Sequence, residues 1–148
     1  MKKRMIPAVL LSLCAMTALP GCGEKSYADG TYTAQSSSYI NDDEDETAGN
    51  GYGIVTLTIK DNVITECTFQ TYELNGTLKD EDYGKENGEI ANRDFYNKAQ
   101  KALAACEKYA QQLVETNSVK EVDAISGATV NYSEFQEAAK AALKQAEQ

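Results

Sequence analysis

Residues 52–72, YGIVTLTIKDNVITECTFQTY, carry the pattern that indicates the fold class. Two segments rich in β-branched and aromatic residues, 52–60 and 63–72, flank the pair Asp61-Asn62. Asp and Asn accept the positive φ angles that a tight two-residue turn requires. The stretch therefore predicts an antiparallel β-hairpin.

The apolar residues of the two segments do not match in a simple hairpin. With a two-residue turn, Ile59 pairs with Ile64 and Leu57 with Glu66. The apolar residues of the two strands then lie on opposite faces, Val55, Leu57 and Ile59 on one and Val63, Cys67 and Phe69 on the other. Either both faces of the hairpin are covered or the turn is longer than two residues, and the sequence leaves both alternatives open.

Strand and helix patterns continue on both sides of this hairpin. Upstream, residues 29–39 (DGTYTAQSSSY) alternate Tyr and Thr with small polar residues and predict a further strand. Downstream, residues 73–89 are polar and rich in turn-forming residues, which predicts a long loop. From Asn92, apolar residues recur at i, i+3, i+4 and i+7, so we expect a helix that ends near Thr116-Asn117.

The C-terminal segment predicts a second helix. Its apolar stripe consists of Phe135, Ala138, Ala139, Ala142, Leu143 and Ala146. Residues 133–136 fit a capping box, and Asn131 is another candidate cap. Residues 118–124 (SVKEVDA) are compatible with one more short strand. Strands followed by two main helices indicate a single α+β domain over residues 29–148, with an antiparallel sheet packed against the helices.

The N-terminal residues have the features of an export signal. Three basic residues at positions 2–4 precede an apolar run, 5–19, that is too short to be a comfortable membrane span. The following Leu-Pro-Gly-Cys, residues 19–22, resembles a bacterial lipobox, in which Cys22 becomes a lipid-modified first residue. Ordinary signal cleavage, with Cys22 an unmodified thiol, is the alternative.

These features predict the organisation and the location of the protein. We expect residues 1–21 to be a lipoprotein signal peptide, residues 22–28 a lipid-anchored tether, and residues 29–148 the folded domain. Two acyl chains of a diacylglyceryl group on Cys22 suffice for stable anchoring, so the predicted location is the extracytoplasmic side of the cell membrane.

Composition excludes several functional classes. The chain has 14 Lys and Arg against 23 Asp and Glu, and loss of the signal removes three of the basic residues, which leaves a net charge of −12. Such an acidic protein is not expected to bind nucleic acid. The absence of histidine excludes Ser-His-Asp and Cys-His catalysis and His-containing zinc sites. The acidic stretches do not fit an EF-hand loop, so no metal site is predicted. Spacing leaves open whether Cys67 and Cys106 form a disulfide or pack as core thiols.

The motif that carries chemistry lies directly before the C-terminal helix. Residues 123–129, DAISGAT, place small residues beside the hydroxyl of Thr129. This motif resembles the flavinylation motif of the FMN-binding domain family. That family includes the FMN-carrying subunits of the Rnf complex and of the sodium-pumping NADH:quinone oxidoreductase, and lipoproteins of extracellular electron transfer. The resemblance extends from residues 29–32 through the predicted hairpin to the terminal helix.

The resemblance implies that Thr129 holds FMN through a phosphoester bond, installed by a magnesium-dependent FMN transferase that uses FAD as donor. An external enzyme also agrees with the absence of a histidine that could activate a threonine hydroxyl. Such an enzyme needs an exposed site, and Ser126, Gly127 and Ala128 leave room for it. A helix that begins near Thr129 stabilises the phosphate charge through its free backbone N–H groups and its dipole.

Four further residues are candidate members of the cofactor site. Asp123 cannot favour a phosphate by charge, so we expect it to be recognised by the transferase or to bind the metal of that enzyme. Asn131 is expected at the phosphate or at the helix cap. Tyr52, between two glycines, and Tyr83 are candidates for stacking against the isoalloxazine ring.

The expected function is that of an electron carrier, a lipid-tethered flavoprotein whose FMN accepts electrons and passes them to redox partners that the sequence does not identify. No catalytic residue is predicted, and electron carriage is favoured over conversion of a substrate. Two alternatives stay open: a non-redox binding lipoprotein that keeps the fold without flavin, and a flavin-dependent reductase with its own small substrate. The structural alternative for Thr129 and Asn131 is an N-cap on an ordinary helix.

Overall fold

The computed structural model describes residues 25–43 and 49–148. The expected signal peptide, Cys22 and the first residues of the tether lie outside the described residues. The elements follow the order β1 (Gly30–Gln35), β2 (Tyr52–Lys60), β3 (Val63–Tyr72), α1 (Arg93–Thr116), a 3-10 turn (Val119–Glu121) and α2 (Thr129–Ala146). The strands form an antiparallel sheet in the order β1-β2-β3. The predicted α+β class, an antiparallel sheet with two main helices in one domain, is confirmed.

Alternation along the central strand decides which face of the sheet is buried. Val55, Leu57 and Ile59 of β2 are almost fully buried, whereas the residues between them are partly exposed. Both helices cover the buried face, with α1 against β3 and α2 against β1 and β2. Because both helices lie on this face, a site between them can form only on the same side of the sheet.

The hairpin turn is as short as its sequence indicates. Asp61 and Asn62 have φ angles of 51° and 64°, as the two central residues of a type I′ turn require. The first pair beyond the turn joins Lys60 to Val63, and Ile59 then pairs with Ile64. The alternative of a longer turn is therefore wrong.

A β-bulge removes the apparent mismatch between the two hairpin strands. Thr58 pairs with Glu66 rather than with Thr65, so the register shifts by one residue. The shift turns Cys67 and Phe69 onto the face that the helices cover. The hairpin therefore needs neither a longer turn nor two covered faces.

The bounds of α1 agree with the prediction. Asn92 is the N-cap, and its side-chain oxygen accepts a hydrogen bond from the Phe95 N–H at 3.0 Å. Asn117 ends the helix in the left-handed conformation, with φ 54°, and its N–H donates to the Leu113 carbonyl. The short strand expected over residues 118–124 is wrong, because Val119–Glu121 form a 3-10 turn with the Val119 side chain in the core.

The start of α2 differs from the predicted capping box. The helix begins at Thr129, and its N-cap, Ala128, has no side chain that could accept a hydrogen bond. Ser133 is therefore an exposed residue inside the helix, and Gln136 donates to the Val119 carbonyl at 2.8 Å instead of capping. Asn131 also lies inside the helix and is not a cap. The helix therefore begins earlier than the box suggests.

Aromatic rings join the two helices to the sheet. Phe135 of α2 lies edge-on to Phe69 of β3, with ring centres 5.2 Å apart, and stacks on Tyr109 of α1 at 5.7 Å.

Cys67 and Cys106 are free thiols rather than a disulfide. Within residues 25–43 and 49–148, no helix combines the length and the apolar character that a membrane crossing requires.

Candidate functional site

A cavity of about 760 Å³ opens between the start of α2, the first turns of α1 and the loops at one end of the sheet. Its size is in the range of small-molecule and cofactor sites. The wall from α2 and its preceding turn includes Gly127, Ala128, Thr129 and Asn131. Four of the predicted site residues therefore lie together here, and Tyr83 lines the opposite side.

The hydroxyl of Thr129 is accessible. Thr129 is the first residue of α2 and is exposed, and within the described residues its side chain makes no hydrogen bond. As the first residue of the helix, it stands beside backbone N–H groups that have no partner within the helix. An anion attached to Thr129 therefore meets free donors and the positive end of the helix dipole.

The turn before Thr129 is exposed to solvent at Ser126 and Gly127, and its two ends are hydrogen-bonded to the core. Gly127 has φ +84°, a conformation that residues with a Cβ rarely adopt, and a Cβ at this position would meet no atom within 4 Å. Ser126 is exposed, whereas Ala128 is only 3% exposed. The Tyr109 hydroxyl accepts a hydrogen bond from the Ile125 N–H at 3.1 Å and donates one to the Ala128 carbonyl at 3.2 Å. A buried side chain of α1 thus holds both ends of the turn.

Asn131 fixes the start of α2 to α1. Its Nδ2 donates to the Ala102 carbonyl oxygen at 3.1 Å and to Cys106 Sγ at 3.2 Å. Its side chain therefore points along the cavity floor towards α1. Its role here is to position the helix that carries Thr129.

Two lysines and two aromatic rings complete the cavity. Lys79, from the loop after β3, and Lys98, from α1, bring positive charge into a protein that is acidic overall. The Lys79 Nζ lies 5.0 Å from the centre of the Tyr83 ring, and the Phe95 ring meets Tyr83 edge-on at 6.2 Å. The Gly49 N–H donates to the Tyr83 hydroxyl at 3.2 Å. Tyr83 is therefore held in place while it remains partly exposed to the cavity.

Three of the predicted site residues do not line the cavity: Ser126, which directly precedes its wall, Tyr52 and Asp123. Tyr52 points to the face of the sheet that the helices leave open, where it stacks on Tyr72 with ring centres 5.5 Å apart. Asp123 is exposed and does not line the cavity, and its backbone N–H donates to the Gln112 side chain at 2.8 Å. Asp123 is therefore a solvent-exposed residue outside the cavity wall.

Sequence reasoning missed four charged residues at or near the cavity, namely Lys79, Asp94, Lys98 and Glu134. Lys79 and Lys98 lie in a charged loop and on a mostly polar stretch of helix, where nothing in the sequence separates them from solvated surface charges. Glu134 is buried, and one signal could have identified it, because it precedes the core residue Ala138 by four positions and so falls on the apolar stripe of α2.

The comparisons with known proteins agree with this site. A family model described as FMN-binding domain matches residues 46–144, which includes the whole cavity wall from α1 and α2. The chain belongs to the FMN-binding domain family. It is therefore a flavin-binding protein.

A solved structure shows the same fold in a more distant protein. The crystal structure of a Clostridium perfringens protein is 20% identical, with a TM-score of 0.58, and the match covers 81% of this chain and 88% of that one. A solution structure of a Clostridium thermocellum protein is 23% identical over 79% of this chain and 90% of that one, with a TM-score of 0.41. No curated protein matches the chain.

The residues of the cavity fit FMN. The phosphate has a helix N-terminus and an exposed hydroxyl beside it, and Lys79 and Lys98 supply positive charge for its negative charge. The flat ring system has partly exposed aromatic side chains, Tyr83 and Phe95, along the wall from α1 and the loop after β3. Thr129 is exposed to solvent where it lines the cavity.

Proposed function

We propose that this FMN-binding protein is an electron carrier that holds FMN covalently on Thr129 and is anchored through Cys22 on the extracytoplasmic side of the membrane. The observation that carries the proposal is the exposed Thr129 hydroxyl at the N-terminus of α2, facing a cofactor-sized cavity in a chain of the FMN-binding domain family. The lipobox-like residues 19–22 support the anchor.

Attachment requires a phosphodiester between Thr129 and the FMN phosphate. The Thr129 oxygen forms the new bond to phosphorus while the bond to the AMP part of the FAD donor breaks, and the hydroxyl proton passes to a base. Within the described residues no ionisable side chain is hydrogen-bonded to this hydroxyl, and the chain has no histidine, so the base and the metal come from the FMN transferase.

The residues around Thr129 suit this external reaction. Ser126 and Gly127 are exposed and small, so an approaching active site meets no bulky side chain. Asp123, at the beginning of the motif, is exposed and is the candidate contact for the transferase or its magnesium ion. Gly127 supplies the positive φ that turns the chain into the helix.

Bound FMN supplies the electron-accepting chemistry, and the chain supplies attachment, exposure and charge. The free N–H groups at the start of α2 and the ammonium groups of Lys79 and Lys98 stabilise the phosphate. Tyr83 and Phe95 offer apolar surface that limits the access of water to the ring. The lipid anchor keeps the cofactor near membrane-bound redox partners.

Coexpression of the full chain with an FMN transferase tests this proposal. We expect the wild-type protein to be coloured, to fluoresce as flavin in a denaturing gel, and to bleach with a reductant and recover with an external acceptor. Thr129→Val is expected to lose the denaturation-resistant flavin, because only the hydroxyl is removed. Ser126→Ala tests the neighbouring hydroxyl. Thr77→Val, at an exposed threonine that does not line the cavity, is the matched control, and both variants should retain the flavin.

The outcomes distinguish the proposed carrier from the other functions. A wild-type protein that stays colourless beside an active transferase favours a binding lipoprotein without flavin. Retention of covalent flavin by Thr129→Val contradicts the assignment of the attachment site. Saturable turnover of a small substrate by the flavinylated protein would instead indicate a reductase.

A further inference from the structure

Two oppositely charged side chains are buried near each other, Lys79 in the cavity wall over Gly51 and Glu134 behind the wall over Gly53. Lys79 and Glu134 are the charged residues that are buried among those the structure describes, with 8% and 4% of their surface exposed. Lys79 lines the cavity, and Glu134 lies on α2, one and a half turns beyond Thr129. Buried charges are usually paired and hydrogen-bonded, because their removal from water is costly. The partners of these two residues therefore indicate what the pair does.

The Glu134 carboxyl group is unpaired. Neither of its oxygens has a hydrogen-bond partner within the described part of the chain, and the same is true of the buried Thr71 Oγ1. Gly53 of β2 leaves the space for Glu134, since a Cβ at Gly53 would lie 3.1 Å from the Glu134 Cβ. Burial raises the pKa of Glu134 to about 7, and the positive charge of Lys79 opposes this rise.

Lys79 is held at the cavity wall by its own contacts. Its Nζ donates to the Gly49 carbonyl at 3.1 Å and faces the Tyr83 ring. No direct ion pair joins Lys79 to Glu134 in the part of the chain that the structure describes. Burial lowers the pKa of Lys79, while the charges of Glu134 and Glu73 act to raise it. The ammonium group thus attracts the Glu134 carboxylate without forming a hydrogen bond or an ion pair with it.

Two other ionisable neighbours are neutral near pH 7. Burial raises the pKa of the Cys106 thiol on α1 to about 11 and raises that of Tyr83, so both are neutral at pH 7. On α2 itself, Glu137 is exposed and accepts a hydrogen bond from Ser37 at 2.5 Å. Glu73, which interacts with Lys79, and Asp94 and Lys98 of the cavity lining are the remaining charged groups. Glu134 is the carboxyl group of this cluster that is both buried and unpaired.

We propose that Glu134 takes up a proton when a flavin held at this cavity is reduced, while Lys79 maintains the Glu134 carboxylate in the oxidised state. The inference rests on the proposed function. Two electrons from an external donor, such as a reduced viologen, add two negative charges to the site. One proton binds at the ring, and a second, from water, forms the O–H bond of Glu134. Two electrons and two protons therefore leave the net charge of the cavity unchanged.

The physical reason is the burial of the carboxyl group of Glu134, a residue that is 4% exposed. A negative charge added beside a buried carboxylate raises the proton affinity of that carboxylate, and few water molecules are present to screen the interaction. Because both Glu134 oxygens are unpaired, protonation breaks no hydrogen bond. Lys79 connects Glu134 to the cavity, because it lines the cavity and its charge interacts with that of Glu134.

Redox titration of the flavinylated full chain between pH 5 and pH 9 tests this inference. Each proton taken up with two electrons changes the equilibrium constant tenfold per pH unit, or about 30 mV. Near neutral pH, we expect the redox equilibrium constant of Glu134→Gln to change by one tenfold factor per pH unit less than that of the wild type, because the amide cannot bind a proton. Glu137→Gln, on the same helix and exposed, should keep the wild-type pH dependence. Lys79→Met should move the step that depends on Glu134 to higher pH.

A second measurement does not depend on the flavin. In flavin-free Thr129→Val, the carbon-13 shift of the Glu134 carboxyl group should titrate near neutral pH, and a normal pKa of about 4.3 would overturn the inference. A flavinylated Glu134→Gln protein with the wild-type pH dependence also overturns it and leaves the proposed function intact. A chain that never acquires flavin contradicts the proposed function and this inference together.

Discussion

Asn131 Nδ2 lies 3.2 Å from Cys106 Sγ and 3.1 Å from the carbonyl oxygen of Ala102, so the first turn of α2 is hydrogen-bonded to the middle of α1. Thr129 is two residues away from this contact. The orientation of the attachment site relative to the cavity is therefore set by a side chain that does not itself need to touch the cofactor.

Replacement of Asn131 by Ala should lower the free energy of unfolding by about 1–3 kcal/mol, because it removes both hydrogen bonds from a partly buried position. Urea unfolding followed by circular dichroism measures the change. Asn97→Ala, at an exposed position of α1, is the matched control and should be nearly neutral. An Asn131→Ala protein as stable as the control would show that the contact does not hold the helices together.

Tyr109→Phe should loosen the turn before Thr129. The change removes one oxygen atom and leaves the Ile125 N–H and the Ala128 carbonyl without their side-chain partner, at a cost of about 1–3 kcal/mol. Hydrogen exchange should show faster exchange at the Ile125 amide than in the wild-type protein. Tyr96→Phe, whose hydroxyl bonds to the distant Glu81 carbonyl, should leave that amide unchanged. Equal protection at Ile125 in both variants would contradict this role.

Gly127→Ala should destabilise the motif through its backbone alone. A Cβ at this position meets open space, so the cost comes from the φ of +84° and amounts to about 1–2 kcal/mol. We expect a smaller fraction of the protein to acquire flavin during coexpression, as measured by intact mass. Gly127→Asn should be less affected, since Asn tolerates the left-handed region. Identical labelling of all three proteins would show that the turn conformation is unimportant for attachment.

Glu134 should make stability depend on pH. Its pKa is about 7 in the folded protein against a model value of 4.5, so the folded state binds more protons than the unfolded state between these values. The free energy of unfolding therefore falls as pH rises from about 4.5 to about 7. Glu134→Gln lacks this loss, so its stability relative to wild type should increase across that window, by up to about 3 kcal/mol. A difference that is constant with pH would contradict the buried, titrating carboxyl group.

The sequence predicts the elements of this fold better than their register. The Asp61-Asn62 turn and the bounds of α1 follow from local preferences, because the side chains that decide them are near in sequence. The bulge opposite Thr58 does not follow, since it arises only when Cys67 and Phe69 are drawn under the helices. Tertiary packing thus overrides strict alternation at that point.

The candidate site divides in the same way. The motif that ends at Thr129 is contiguous, so its place before a helix could be predicted from the sequence. Lys79 and Tyr83 join it only through the path of the loop after β3, and that path has no periodic pattern. The prediction for Tyr52 failed because its position between two glycines does not indicate which face of the sheet its side chain occupies.

Mass analysis of the protein isolated from its native membrane tests the central claim most directly. The account predicts that the peptide containing Thr129 carries the added mass of an FMN phosphoester, that fragmentation places it on the Thr129 oxygen, and that the N-terminal peptide begins with an acylated Cys22. An unmodified Thr129 peptide, from cells in which an FMN transferase is active, would contradict the account.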